Sequence, residues 1–451
     1  MRWSKVVVAV AALGFVAASA ASANVPSFMR QTGLTCNQCH MTWTPTPDMT
    51  FTGIKFRVNG YRTPWVAEKI EAGEEGALNG RRLALSLTGY FTYHMRANLF
   101  QQSKPTSSPA VAEPEPSPVA SNPFSSLAWD WTGPITENMG IWTEWYSAGG
   151  GTINVGTGNG IGFVRNDEFD VRMAFNPGDG GNIVSIFMNN QTHNANFFGA
   201  FNSGATSGQG QFIHMGVAAW LKDRVTLQLM VAPGNDNLDY ERMNYGVVIG
   251  LLPLNSDALY LVPTLSILTG DDQTPMVSTT ATVTSAAGST AFSNVVTRDG
   301  ITGISAYRAG GQPYAATDLG DATRVLFDVR FGALDRGKWS FTSATGISVQ
   351  SETYSDGAKT KLTSFGTAWR LFYDRTYGIN VGLNKRTTYE FTDAAGGVHE
   401  IPSDIGYSVL LVYRQAMNFA WEFGFSNAQS LKLGENWRNG WSWNLQWHFL
   451  Y

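Results

Sequence analysis

Most of the chain consists of short segments in which apolar and polar side chains alternate, and this alternation limits the possible folds more than any other feature. About sixteen such segments follow one another between residue 80 and the C-terminus, and none contains 18 consecutive apolar residues. Alternation with a period of two is typical of a β-strand with two different faces, whereas a membrane-spanning helix needs a long apolar run. The sequence therefore predicts an all-β domain of about sixteen antiparallel strands.

The connections between these segments are alternately long and short. The strands are predicted near 82–100, 124–132, 139–147, 164–176, 181–190, 211–220, 224–232, 241–251, 257–269, 322–333, 337–350, 361–374, 376–390, 404–416, 417–428 and 438–451. Short turns on the periplasmic side and long loops on the outer side are the rule in bacterial outer-membrane barrels. The longest connection, 270–321, is rich in Thr, Ser and Ala, and its sequence is compatible with either a folded cover over the pore or an unstructured loop.

Aromatic residues favour a membrane barrel over a soluble β-sandwich or propeller. The chain has 48 Gly, 26 Phe, 16 Tyr and 15 Trp, but only 15% of its residues are charged. The last segment, WRNGWSWNLQWHFLY, places six residues on one face: Trp441, Trp443, Leu445, Trp447, Phe449 and Tyr451. Such a face would aggregate in water but is stable in a bilayer. The expected fold is an all-β transmembrane barrel of about 16 strands, covering residues 81–451.

The N-terminus predicts export. Arg2 and Lys5 precede an apolar run that ends in an Ala-x-Ala pattern, so residues 1–23 are predicted to be a signal peptide. Its removal leaves 29 basic and 35 acidic side chains, a net charge of about −6, which argues against nucleic acid as a partner. The expected location is the bacterial outer membrane, with its lipid around the barrel and both termini in the periplasm.

Between signal and barrel, the segment RQTGLTCNQCHMTW contains both cysteines of the chain. Cys36, Cys39 and His40 form C-x-x-C-H, the attachment motif of haem c, in which two thiols bind the haem vinyl groups and the histidine is the proximal iron ligand. A zinc site would need four ligands, and a dithiol redox pair would not need the histidine. A simple disulfide is the remaining alternative. Residues 24–80 are thus expected to be a small c-type cytochrome domain with one covalent haem that plugs the barrel lumen.

The run FMRQTGLTCNQCH, together with FTGIKFRVNGY at 51–61, resembles the monohaem cytochrome–porin fusions of the bacterial outer membrane. The best-known members of that family serve as iron oxidases in iron-oxidising bacteria. The resemblance covers about residues 26–61 and implies that extracellular Fe²⁺ donates an electron which a periplasmic cytochrome receives. It would make the chain an iron(II):cytochrome c oxidoreductase-type electron-transfer protein, although related cytochrome–porins also occur in bacteria not known to oxidise iron.

The distal ligand of the haem iron stays open among several candidates. Met49 lies nine residues beyond His40, and methionine ligation would raise the haem potential. His94 and His214 are predicted by strand parity to lie on the lumen face and are alternatives. Each of these side chains also has an ordinary explanation as packing or lumen polarity.

Two function classes remain open on the sequence. The first is an outer-membrane electron-transfer cytochrome with Fe²⁺ as the first candidate donor, and the second is a solute porin whose haem segment senses redox state or gates the pore. Strand parity also predicts that Arg96, Arg172 and Arg370 face the lumen, where they could neutralise haem propionates. No catalytic residue is assigned.

Overall fold

The structure, a computed structural model, describes residue 39 and the ranges 51–62, 91–104, 115–136, 138–147, 165–176, 181–189, 214–233, 243–256, 258–271, 277–285, 288–296, 302–306, 319–354, 359–392, 396–401, 405–416, 419–427 and 440–450. The signal peptide and the predicted domain boundaries at residues 24 and 80 lie outside these ranges. So does a short helix that the sequence suggests over 66–78.

The described strands form a closed antiparallel barrel. The main sheet has eighteen strands. Sixteen of them form a ring in which each strand pairs with two neighbours, and the last strand of the ring pairs back onto the first. The other two are short additions, each beside one strand of the ring. The prediction of about sixteen antiparallel strands is confirmed. Because the number is even, the first strand of the ring begins and the last strand ends at the same edge of the barrel.

The sixteen ring strands, in chain order, are β1 (Phe91–Lys104), β2 (Ala120–Pro134), β3 (Met139–Ser147), β4 (Arg165–Phe175), β5 (Ile183–Asn189), β6 (His214–Leu221), β7 (Val225–Pro233), β8 (Met243–Leu251), β10 (Leu259–Asp271), β14 (Leu319–Arg336), β15 (Trp339–Tyr354), β16 (Lys359–Tyr373), β17 (Tyr377–Thr392), β19 (Ile405–Ala416), β20 (Phe419–Asn427) and β21 (Trp441–Leu450). The two additions are β9 (Leu254–Asn255) and β18 (Val398–Ile401). A helix, α1, covers Phe51–Val58.

Several strands are longer than the hydrophobic pattern predicts. The first was expected to end near residue 100, but β1 continues to Lys104 because Gln101 to Lys104 still pair with β21. The strands β14 to β17 are likewise 15 to 18 residues long. Alternation of side chains marks only the part of a strand that crosses an apolar layer, whereas the backbone ladder can continue into polar surroundings.

The wall of the barrel has one apolar and one polar face. Outward side chains such as Ile186, Val217, Leu229 and Phe327 are exposed and apolar. Their neighbours along each strand face inward, and many of these are buried and polar or charged: Asp130, Asp170, Arg172, Gln228, Asp328, Arg330, Arg414, Glu422, Gln446 and His448. A closed sheet with apolar side chains outside and polar side chains inside resembles a membrane barrel, since a water-soluble barrel would have the apolar side chains inside.

An aromatic row follows the outer surface beside the short turns. Six residues on consecutive strands from β15 to β21 pair with one another in register: Trp339, Tyr373, Tyr377, Tyr413, Trp421 and Trp447. Within the row the rings of Trp339 and Tyr373 lie 5.0 Å apart, and those of Tyr377 and Tyr413 stack at 5.2 Å. Tyrosine and tryptophan collect at the boundary between hydrocarbon and water, where the ring is apolar and the polar atom stays hydrated.

The long connection between β10 and β14 contains secondary structure of its own. Three strands, β11 (Val277–Ser285), β12 (Gly288–Val296) and β13 (Thr302–Ala306), form a separate antiparallel sheet. The first of these strands, VSTTATVTS, is rich in Thr and Val, which have high β-propensity. Part of this connection is therefore folded.

Candidate functional site in the barrel lumen

Helix α1 ends in a turn that its own sequence favours. The amide of Tyr61 donates to the carbonyl of Phe56 at 3.0 Å, and the amide of Gly60 donates to the carbonyl of Arg57 at 3.0 Å. These are the two hydrogen bonds of a Schellman motif, in which Gly60 adopts a positive φ of 68°. The Tyr61 and Phe56 rings make the apolar contact that accompanies this motif, with centroids 6.1 Å apart.

One face of α1 packs against the inner wall of the barrel. Phe51, Ile54 and Val58 recur at helical spacing and belong to one buried cluster with residues of the wall. The rings of Phe51 and Trp220 meet edge to face at 5.0 Å. The wall residues of this cluster are Ala174, Ile183, Phe187, Ala218, Trp220, Met230, Val248, Leu252, Tyr260, Val262 and Leu334. They lie on the face opposite to the exposed apolar side chains, so α1 is inside the barrel.

Another side of α1 lies against Cys39 of the C-x-x-C-H motif. A Cβ atom built on Gly53 would be 2.3 Å from the carbonyl oxygen of Cys39, which no side chain could occupy without displacing the backbone. Gly53 is therefore the residue that lets the two segments approach so closely. The structure thus brings together the second cysteine of the motif and the segment at 51–61, the two parts of the chain on which the family resemblance depends.

The turn after α1 is fitted to the short-turn end of the barrel. A Cβ atom on Gly140, at the start of β3, would lie 1.9 Å from the carbonyl oxygen of Gly60. Arg62 donates from Nη2 to the carbonyl of Ala174, near the end of β4, at 3.1 Å. Both wall residues border short turns, so the turn at the end of α1 lies at the short-turn end of the barrel.

A buried carboxylate fastens α1 to the wall. Asp170 on β4 accepts three hydrogen bonds at its Oδ2 atom: from Nε of Arg57 at 2.9 Å, from the hydroxyl of Tyr61 at 2.7 Å, and from Nε of Arg172 at 2.9 Å. The side chain of Asp170 is fully buried, and those of Arg57 and Arg172 are 6% and 2% exposed. Bonds of this kind, between ionised partners and away from water, are the stronger ones in proteins.

Each guanidinium of this cluster keeps a buried nitrogen that is not hydrogen-bonded. Nη2 of Arg57 and Nη1 of Arg172 have no hydrogen-bond partner in the part of the chain that the structure describes, and neither does Oδ1 of Asp170. Arg172 is also fixed from one side, because its guanidinium carbon lies 5.0 Å from the ring centre of Phe187 on the next strand. Buried donors without partners are uncommon in native proteins and indicate a position for a further polar group.

A second contact fastens α1 to the turn between β6 and β7. Lys55 donates to Oδ1 of Asp223 at 2.8 Å, and the indole nitrogen of Trp220 donates to the same oxygen at 2.6 Å. Burial raises the pKa of the Asp223 carboxyl, but the hydrogen bonds from Lys55 and Trp220 and the nearby positive charges outweigh burial, so the pKa lies below its ordinary value of 3.8. The carboxylate is therefore ionised at neutral pH and continues to accept both donors.

The other cofactor residues expected from the sequence are only partly described. Cys36, His40 and Met49 lie outside the described residues, whereas Cys39 is within them and half-buried. The backbone of His94 pairs with Leu450, and that of His214 pairs with Asn189.

The three arginines expected to face the lumen do so. Arg172 belongs to the Asp170 cluster. Arg96 pairs in register with the buried His448 and interacts electrostatically with Glu422. Arg370 lies between Trp369 and Leu371, which are exposed on the outer surface at 40% and 38%. Neither Arg96 nor Arg370 contacts Asp170.

Sequence reasoning missed α1 and its anchor, although a signal for the anchor exists. The tetrapeptide Phe-Asp-Val-Arg occurs twice, at 169–172 on β4 and at 327–330 on β14. In both copies the aspartate and arginine face inward and are buried. The β4 copy contacts α1 through Asp170. Asp328 of the second copy lies 3.9 Å from Nε of Arg330, and neither of its carboxylate oxygens is hydrogen-bonded within the described residues.

Within the described ranges, no three His, Cys, Asp or Glu side chains converge as a metal site would require. No described helix is long and apolar enough to cross a bilayer.

The fold defines a sixteen-stranded antiparallel barrel with a helix inside it. No protein-family model and no curated protein matches the chain. Among solved structures, it is similar to a loop-deletion mutant of OmpT, an outer membrane protein of Vibrio cholerae, with a TM-score of 0.45, 9% identity, and coverage of 80% of this chain and 98% of that one. It is also similar to the anion-selective porin of Comamonas acidovorans, with a TM-score of 0.43, 9% identity, and coverage of 80% and 98%.

Proposed function

We propose that the chain is an outer-membrane electron-transfer protein with one covalent haem c inside its barrel. The observation that carries this proposal is the close packing of Cys39 on α1, which itself lies inside the ring of strands. C-x-x-C-H is an attachment motif for haem c, and here its second cysteine adjoins an element anchored to the lumen wall. A porin without a cofactor would have no use for this combination.

The residues around Cys39 fit a haem. Cys36 and Cys39 would form the two thioether bonds, and His40 would be the proximal iron ligand. The buried guanidinium nitrogens of Arg57 and Arg172 supply donors for an anionic group, and haem carries two carboxylates. When bound, the haem supplies a one-electron centre. Met49, His94 and His214 remain the candidates for the distal ligand.

The outer membrane is the proposed location of the barrel. The apolar outer face and the aromatic row beside the short turns match the lipid-facing band and interfacial belt of membrane barrels. Because short turns are periplasmic in such barrels, the N- and C-termini would also be periplasmic.

Membrane insertion predicts a heat-dependent mobility on gels. The unheated protein in detergent should migrate as a compact barrel, and boiling should shift the band, because the closed ladder of β1 and β21 resists detergent until it is melted. Circular dichroism should show mainly β-structure. A protein that stays soluble and monodisperse without detergent would contradict a lipid-facing outer surface.

The proposed donor is extracellular Fe²⁺, and the proposed acceptor is a periplasmic cytochrome. One electron leaves Fe²⁺, which becomes Fe³⁺ outside the cell, and reduces the ferric iron of the acceptor to ferrous. The protein's contribution is to position the haem. Helix α1 would hold the attachment motif inside a wall whose apolar band is about 25 Å tall. A single haem there would shorten the electron-transfer distances to the outer donor and to the periplasmic acceptor. Keeping the donor outside also keeps the poorly soluble Fe³⁺ product out of the periplasm.

The alternative function is that of a solute porin, and the number of strands is compatible with it. Rings of sixteen strands can enclose an aqueous channel, so the haem segment would then sense redox state or gate solute flow. The presence of α1 and inward arginines argues for restricted passage, especially of cations.

Two measurements on the same purified protein separate these functions. In oriented liposomes, Fe²⁺ added outside should reduce the haem rapidly, as seen by stopped-flow absorbance at the α-band. In planar bilayers the single-channel conductance should be low, because α1 occupies part of the lumen. High conductance without reduction by Fe²⁺ would make the solute porin the better description.

A further inference from the structure

We propose that Arg57 and Arg172 form a buried carboxylate-binding site whose ligand is a propionate of the haem. The inference rests on the proposed function, since it names the residues that receive the cofactor. Strand parity alone suggested Arg96, Arg172 and Arg370 as partners of the propionates. The inference names a different set, because Arg57 comes from α1 and because Arg96 and Arg370 are outside the cluster.

The first argument is charge. Two guanidinium groups, both more than nine-tenths buried, share one carboxylate, that of Asp170. Counted over the described residues, the cluster therefore has one positive charge in excess. A buried charge without a counter-charge is strongly destabilising, so a cluster of this composition is suited to receive an anion.

The second argument is the pair of donors left available by these contacts. Arg57 and Arg172 both contact Asp170 through Nε, and none of the described residues accepts a hydrogen bond from Nη2 of Arg57 or Nη1 of Arg172. The two guanidinium groups are fixed by the same carboxylate oxygen, and Phe187 supports the second of them. Arginine donors held in this way favour carboxylates, whose planar geometry matches the guanidinium fork.

The third argument is proximity to the attachment motif. Gly53, which touches the Cys39 backbone, and Arg57 are four residues apart on α1 and therefore lie on the same side of the helix, about 6 Å apart along its axis. In haem c the thioethers are on one edge of the macrocycle and the propionates on the other. A haem bound through Cys39 would thus extend its carboxylates away from the cysteine, along a helix that presents Arg57.

The test measures the haem midpoint potential of Arg57→Gln, with Arg57→Lys as the conservative variant. Loss of a positive charge beside a propionate stabilises the ferric haem, so Arg57→Gln should lower the potential and make it fall more steeply as pH rises. Arg57→Lys should recover most of the change. Arg370→Gln, which removes the same charge from another inward position, should shift the potential much less. Equal shifts in Arg57→Gln and Arg370→Gln would overturn the inference.

A second arm distinguishes a propionate from a free carboxylate. Acetate should quench or enhance Trp fluorescence in the haem-free Cys36→Ala/Cys39→Ala barrel, because the site is then empty, and should leave the wild-type holoprotein unchanged. Equal binding of acetate by both would assign the site to free anions and overturn the propionate. A wild-type protein without covalent haem would instead refute the proposed function itself, so the two failures are distinguishable.

Discussion

Replacement of both cysteines, Cys36→Ala with Cys39→Ala, should abolish covalent haem in the denatured protein. These are the two cysteines of the chain, so no other thiol can form a thioether. Haem staining of a denaturing gel should show a strong band for the wild type and none for the double variant. The loss should be complete, because haem without a thioether is held by coordination and contacts that denaturation removes.

The single variants are the matched controls. Cys36→Ala and Cys39→Ala each keep one thiol and should each keep some stain through a single bond. The heat-dependent gel shift should survive in all three variants, since the first ring strand of the described residues begins only at Phe91. Covalent haem in the double variant would refute the attachment, whereas loss of the gel shift would mean that haem is required for the barrel to fold.

The ring of strands could be predicted from the sequence because lipid imposes a simple rule on each residue. An outward residue must be apolar and an inward residue is free to be polar, so alternation alone identifies a strand. Segments such as that of β21, where Gln446 and His448 are buried between outward aromatics, follow this rule. The rule fails at strand ends, where backbone pairing continues beyond the apolar band, as it does for Gln101 to Lys104.

The lumenal site could be predicted only in part because it depends on contacts between distant segments. Helix α1 has eight residues, fewer than an isolated helix needs for stability in water. Its helical form is supported by the Schellman turn, which Gly60 marks in the sequence, and by packing on the wall, which no local pattern records. Asp170 is 113 residues from Arg57, so the pair could not be inferred from spacing. The repeated Phe-Asp-Val-Arg marks the two wall positions but not which of them α1 contacts.

The anchor of α1 gives the second large expected effect, in Asp170→Asn. This variant keeps the shape of the side chain and removes the charge that binds Arg57, Tyr61 and Arg172. Breaking a buried ion pair at one partner costs about 3–5 kcal/mol, which is about two to four powers of ten in the docking equilibrium of α1. The helix should leave the wall for a larger fraction of the time.

Release of α1 should be visible as ion flow. Single-channel conductance of Asp170→Asn in planar bilayers should rise above that of the wild type, with openings interrupted by returns to the low level. Lys55 and Asp223 still hold the helix through a second ion pair, so the openings should lengthen further when Lys55→Ala is added. Covalent haem should persist on denaturing gels, because the cysteines are untouched.

Asp328→Asn is the control that the repeated tetrapeptide provides. It makes the same chemical change at a buried, inward aspartate beside an arginine, on a strand where this side chain has no described contact with α1. Its conductance should stay near the wild-type level. Equal conductance in the two variants would show that lumen charge alone controls ion flow. An increase confined to Asp170→Asn would show that α1 closes the barrel and that one carboxylate holds it there, which is the arrangement an electron-transfer protein needs to exclude ions.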